Sequence, residues 1–101
     1  MNRVQCFKQM VRDRGHQLRQ LPFSELGAMA SLPSETVIVD GREGTLSVIV
    51  ESCDDKKLKI VVQGFLCMWL PRIKHVALDG FYKHSDGSTT EMQDVEFYDY
   101  D

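Results

Sequence analysis

No apolar run in this chain approaches the ~18–20 residues that cross a bilayer. The longest, Phe65-Leu66-Cys67-Met68-Trp69-Leu70, is six residues and stops at Pro71. No membrane association is expected. The opening MNRVQCFKQMVRDRG has neither a continuous apolar block nor a small-residue cleavage site, so it does not read as a secretory leader. Cysteine is scarce: Cys6, Cys53 and Cys67 are the only three, at no short spacing. A small secreted domain stapled by disulfides normally carries an even set. Three free thiols in a cytoplasmic protein are therefore expected. Absent too are a Gly-x-Ser-x-Gly elbow and a glycine-rich phosphate loop. Nor is there an excess of positive charge. Twelve Lys and Arg stand against fifteen Asp and Glu, a net −3 that does not attract nucleic acid to the chain as a whole.

What is present is ordinary globular material. Hydrophobic residues make up 43% and charged residues 27%, enough apolar content to argue against disorder. A length of 101 residues fits one domain, which at this size hides roughly 60–70% of its unfolded surface. The charges are unevenly spread. Residues 1–20 hold Arg3, Lys8, Arg12, Arg14 and Arg19 against Asp13 alone, while residues 91–101 hold Glu91, Asp94, Glu96, Asp99 and Asp101 with no base.

The periodicity changes once along the chain. Over residues 3–20, Val4, Phe7, Val11 and Leu18 fall on one helical face. Asn2 is placed to cap that helix, and Gly15 reads as a place where it ends early. Pro22 opens a second short helix with Phe23, Leu26 and Ala30 on one side, and Pro33 closes the pattern. From Glu35 the period is two. Thr36–Val39, Leu46–Glu51 and Leu58–Gln63 read as strands, with turns at Asp40-Gly41 and Asp54–Lys57. Lys74–Leu78 is a fourth strand, continuing through Phe81 and Tyr82 past a bulge at Gly80. Beyond the turn Ser85–Ser88, Thr90–Tyr98 reads as a return strand in which Val95 and Phe97 share a face. The expected fold is α+β: two N-terminal helices (1–33) packed on an antiparallel sheet of about five strands (35–98), with residues 99–101 a frayed acidic end. A small, partly open barrel plugged by the first helix is the alternative.

The stretches VVQGF (61–65) and KHVALDGFYK (74–83), with their Asp-Gly turn, resemble a group of small bacterial proteins of unknown function, over roughly residues 21–90. The resemblance implies a bacterial cytosolic origin. It assigns no site residue, activity or cofactor.

The polar residues do not assemble a reaction centre by spacing. His16, His75, His84 and the three cysteines lack the paired intervals of a zinc site, and Asp86-Gly87-Ser88 lacks the spaced ligands of a calcium loop. Cys53 adjoins Asp54 and Asp55, whose charge disfavours a thiolate. Cys67 lies in an apolar run and reads as a small hydrophobe. If the protein handles a small ligand or a reaction, His75, Asp79 and His84 are the residues to carry it. If it binds nucleic acid, the footprint is Lys8, Arg12, Arg14 and Arg19 on the first helix. Neither a cofactor nor a catalytic set is expected.

The more informative segments point to a protein partner. The run Phe65–Leu70 shows no alternation, so as a strand it needs cover on both faces, from the helices or from another chain. Trp69 and Met68 are types enriched in interface cores. The end of the chain mixes Phe97, Tyr98 and Tyr100 with acids, a combination suited to a basic protein surface. The expectation is an interaction module that self-associates or binds a partner as small inhibitor or immunity proteins do. Its contact residues would be Phe65, Leu66, Met68, Trp69, Phe97, Tyr98 and Tyr100.

Overall fold

A computed structural model describes residues 2–29, 32–67, 74–93 and 96, with Leu32, Pro33 and Lys74 described in the backbone alone. Two helices, α1 (Arg3–Arg19) and α2 (Phe23–Ala28), precede five strands: β1 (Leu32–Val39), β2 (Arg42–Asp54), β3 (Lys57–Cys67), β4 (Lys74–His84) and β5 (Thr89–Glu91). Each strand pairs antiparallel with the next, in the order β1-β2-β3-β4-β5. The sheet is an open meander whose edges are β1 and β5. The barrel alternative is not what forms.

Asn2 caps α1 with a reciprocal pair: its side chain accepts from the Gln5 amide at 2.8 Å, and the Gln5 side chain accepts from the Asn2 amide. Phe7, Val11, Gly15 and Leu18 form the buried line of the helix. Gly15 does not stop it, contrary to the sequence expectation. The helix runs on to Arg19 because Gly15 lies against the sheet, where a Cβ would collide with Oδ2 of Asp79 and come within 2.9 Å of Arg19 Nη1. The missing side chain is a matter of close approach, not of a left-handed cap. Pro22 stands just before α2 in an extended conformation, where its fixed φ and missing amide proton cost nothing.

Strand alternation sorts the sheet into two faces. Leu46, Val48, Leu58, Ile60, Val62, Leu66, Ala77 and Phe81 point toward the helices and join Phe7, Val11, Leu18 and Leu26 in one core. Two glycines make room for Phe7. A Cβ on Gly64 would lie 2.8 Å from its ring, and one on Gly44 would lie 3.1 Å away. Asp40 and Gly41 turn β1 into β2 with φ of 49° and 80°, the two left-handed residues of a primed hairpin turn.

β4 corrects the sequence reading. It stays in unbroken register with β3 from Lys74–Cys67 to His84–Lys57, so there is no bulge at Gly80. The return strand is shorter than expected, at Thr89–Glu91. Val95 and Phe97 lie outside the described residues.

Candidate functional site

α1 lies across the sheet with a basic residue row on each flank. One flank meets β1. There Arg14 reaches Glu35 at 3.0 Å, and Arg3 reaches Asp40 at 3.4 Å. The other flank, Lys8, Arg12, Gly15 and Arg19 in order, follows β4. At its far end the Arg19 guanidinium is saturated. It donates to both Asp79 oxygens at 2.7 and 3.1 Å, to both Glu91 oxygens at 3.0 and 2.6 Å, and to the Gly80 carbonyl at 3.4 Å. Its plane sits 4.7 Å from the Phe81 ring centre, a cation–π distance. The bonds from Asp79, and then those from Glu91, hold the guanidinium charged beyond its ordinary range against the opposing effect of burial. Lys83, buried, donates to the Arg19 carbonyl at 3.0 Å and so ties off the C-terminus of the helix.

This arrangement reduces the nucleic-acid reading. Arg14 and Arg19 are committed to carboxylates of the same chain, and an arginine so engaged is not free for phosphate. Of the expected footprint, Lys8 and Arg12 are left.

The histidine–aspartate set does not converge. Odd-numbered β4 residues face α1, so His75 and Asp79 lie on the helix side. His84 lies on the opposite side, with its Nε2 2.8 Å from the Thr90 hydroxyl. The reason is the regular register, since nine residues is an odd interval in a strand. Asp79 is in any case occupied by Arg19. Desolvation, and then the positive charge of Lys8, lower the pKa of His75, and its Nε2 is buried with no hydrogen-bond partner. Among the described residues no three of His, Cys, Asp and Glu gather as a metal set would. Cys6 and Cys67 are half-buried and Cys53 is exposed, all unpaired. In the β4–β5 turn, Asp86 accepts from the amide and the hydroxyl of Ser88 at 2.8 and 2.6 Å, as the turn reading requires.

The face of the sheet away from the helices is the second feature of the molecule. Register builds it in rows: Thr45–Phe65–Val76, Ser47–Gln63–Leu78 and Ile49–Val61–Gly80. Val61 is 0% exposed yet lies outside the helix-side core, as does Met92 at 7%. The Met92 amide bonds the Gly80 carbonyl at 3.4 Å, and the Tyr82 hydroxyl donates to a Glu96 oxygen. Met92 and Glu96 therefore lie against the β5 end of this face. Elsewhere on this face Phe65, Val76, Leu78 and Ile49 are half-buried, and among the described residues no helix lies over them. A recess of about 230 Å³, lined by Glu43, Gly44, Thr45, Phe65 and Cys67, opens beside Phe65.

The bond to Glu96 is the largest of the causes that push the Tyr82 pKa up to about 12, and it lowers that of Glu96. Since the unfolded phenol titrates near ~10, this contact stabilises the fold fully below that pH and is lost as pH climbs to about 12. In an ultraviolet titration of the three tyrosines, one phenol is expected to ionise late, and Tyr82→Phe removes that step. Three coincident steps near ~10 would show that the bond does not form in solution.

Of the expected contact residues, Phe65 lies on the face away from the helices. Leu66 is a correction: it is 0% exposed within the core, because the alternation that turns Phe65 outward turns Leu66 under α1. Met68, Trp69, Phe97, Tyr98 and Tyr100 lie outside the described residues. Sequence reasoning missed Val76 and Leu78 as neighbours of Phe65 and Ile49 further along the same face. The period-two pattern of KHVALDG held that signal, but only the register shows which strand carries it beside Phe65.

Neither helix is long and apolar enough to cross a membrane. Comparison with protein-family models, with curated proteins and with solved structures finds no match for this chain.

Proposed function

We propose that this protein works by protein–protein contact, and that the occupant of the sheet face away from the helices is a second copy of the same chain. The observation that carries the reading is the row Thr45–Phe65–Val76 with a recess directly beside Phe65. A half-buried ring and an adjacent hollow on one surface suit a two-fold, isologous interface in which each copy meets the other's recess. Strands of 8, 13, 11, 11 and 3 residues, ~4.8 Å apart at ~3.3 Å per residue, span roughly 700 Å² before the part under Met92 and Glu96 is taken away, below the ~800 Å² per partner of a standard interface, so a weak dimer is expected.

Inhibition of a basic partner in the manner of small immunity proteins is a class analogy. It draws on the acidic aromatic end, which lies outside the described residues. A cytosolic site of action rests on the three unpaired thiols.

Light scattering on a sizing column tests the proposal. The expected mass at ~100 µM is twice 11.6 kDa, given an affinity in the micromolar range ordinary for modest interfaces. Phe65→Asp is expected to shift the mass to one chain with little loss of stability, because the substituted side chain lies on the outer face. A single-chain mass for the unaltered protein overturns the proposal.

A further inference from the structure

A charge imbalance on the helix side of the sheet, away from the proposed interface, is left without an answer among the described residues. Arg3, Arg14 and Arg19 on α1 are each matched by a carboxylate. Lys8 and Arg12, one turn apart on the β4 flank, have no ion pair among the described residues and are exposed. They border two clefts at once. One, of about 410 Å³, is lined by Gln5, Lys8, Gln9 and Arg12, and the other, of about 240 Å³, lies between those two cations and Val76–Leu78 of β4. β5 pairs only with Phe81–Lys83, so among the described residues no strand lies along the outer edge of β4 at Val76–Leu78. Strand-edge backbone groups, two unpaired cations and two glutamines thus meet in one depression. Next to it on β4 is His75, whose buried Nε2 lacks a partner and which already feels the Lys8 charge.

We infer that the seam between α1 and the outer edge of β4 binds a small molecule carrying an oxyanion, a phosphate or a carboxylate, with Lys8 and Arg12 as its charged grips. Arg12 offers the planar fork that matches two oxygens of either group, and Lys8 adds a point charge. Gln5, on the same outer surface of the helix, supplies a neutral donor, while the Gln9 amide already donates to Asp13 at 2.8 Å. The combined clefts are of the size that small ligands occupy. The edge backbone of Val76–Leu78, with Ala77 turned toward α1, forms the β4 wall beside the two cations.

The test is titration of the full-length protein with inorganic phosphate and, in a parallel arm, with sodium butyrate. Amide and imidazole shifts are followed by NMR at constant ionic strength, with sodium chloride as the reference. Saturable shifts confined to Lys8, Arg12, His75 and Val76–Leu78 are expected. Saturation by phosphate alone assigns a phosphate ligand, and saturation by butyrate alone assigns an apolar carboxylate. Arg12→Gln and Lys8→Gln are each expected to weaken binding at least tenfold, with the thermal midpoint unchanged because both side chains are exposed. Three results overturn the inference. The shifts track chloride without saturating, the two variants bind as tightly as the original chain, or an acidic peptide such as hexa-aspartate saturates the site when neither small anion does. None of these bears on the mass of the protein in solution, so the interface proposal stands or falls separately.

Discussion

Phe7→Ala is expected to remove about 3–5 kcal/mol of stability, the range for truncating a fully buried phenylalanine. Phe7 is 0% exposed and fills the space left by two glycines on neighbouring strands. The surroundings cannot close over the cavity, since Gly44 and Gly64 have no side chains to move into it. Against a total of about 5–15 kcal/mol for a domain of this kind, the variant sits near its unfolding threshold. Gly64→Ala should cost about 1–3 kcal/mol by overpacking, as its Cβ would stand 2.8 Å from Phe7 Cζ and 2.9 Å from Val11 Cγ2. Part of that cost should vanish when Phe7 is already alanine. Urea unfolding of the two single variants and the double variant measures this coupling. Strict additivity would mean that the ring does not lie over Gly64.

The second large effect is a contrast between two glycines in helices. Gly15→Ala is expected to lose about 2–4 kcal/mol, because the new methyl displaces Asp79 from Arg19 as well as overpacking the seam. The pair it disturbs is mostly sheltered, with side-chain exposures of 15% and 20%. Glu91 at 64% adds little in water. Gly27→Ala on α2 should instead gain about 0.5–1 kcal/mol from helix propensity, since Gly27 is exposed and its Cβ meets only Leu58 Cδ1 at 3.7 Å. Thermal midpoints moving in opposite directions for the same substitution support the docking of α1 on β4. If Gly15→Ala is neutral or stabilising, that flank of the helix is not seated as described.

How far the sequence carried this account depends on which contacts are local. Asn2 and Gln5 sit three residues apart, and Asp40-Gly41 is its own turn, so both were readable. The alternation in Leu46–Val50 and Leu58–Val62 identified a sheet with one dry face, and the order of strands followed from their short connections. Gly15 was misread because its reason lies 64 residues away at Asp79. The bulge expected at Gly80 failed for a related cause. Gly80 stands opposite Val61 within a regular ladder, and a glycine there does not have to break the pairing. Leu66 was assigned to an interface because six apolar residues in a row hide the parity of the strand, and burial by α1 resolves it. The Arg19 cluster joins α1, β4 and β5, so no window of sequence contains it.

The most direct measurement of the central idea mixes isotope-labelled with unlabelled protein and looks for proton contacts that pass between copies. The account predicts such contacts from the Phe65 ring to Val76 and Thr45 methyls of the second copy, vanishing in Phe65→Asp. Intermolecular contacts arising from the α1 side, or none at all at concentrations where scattering gives a single-chain mass, would contradict it.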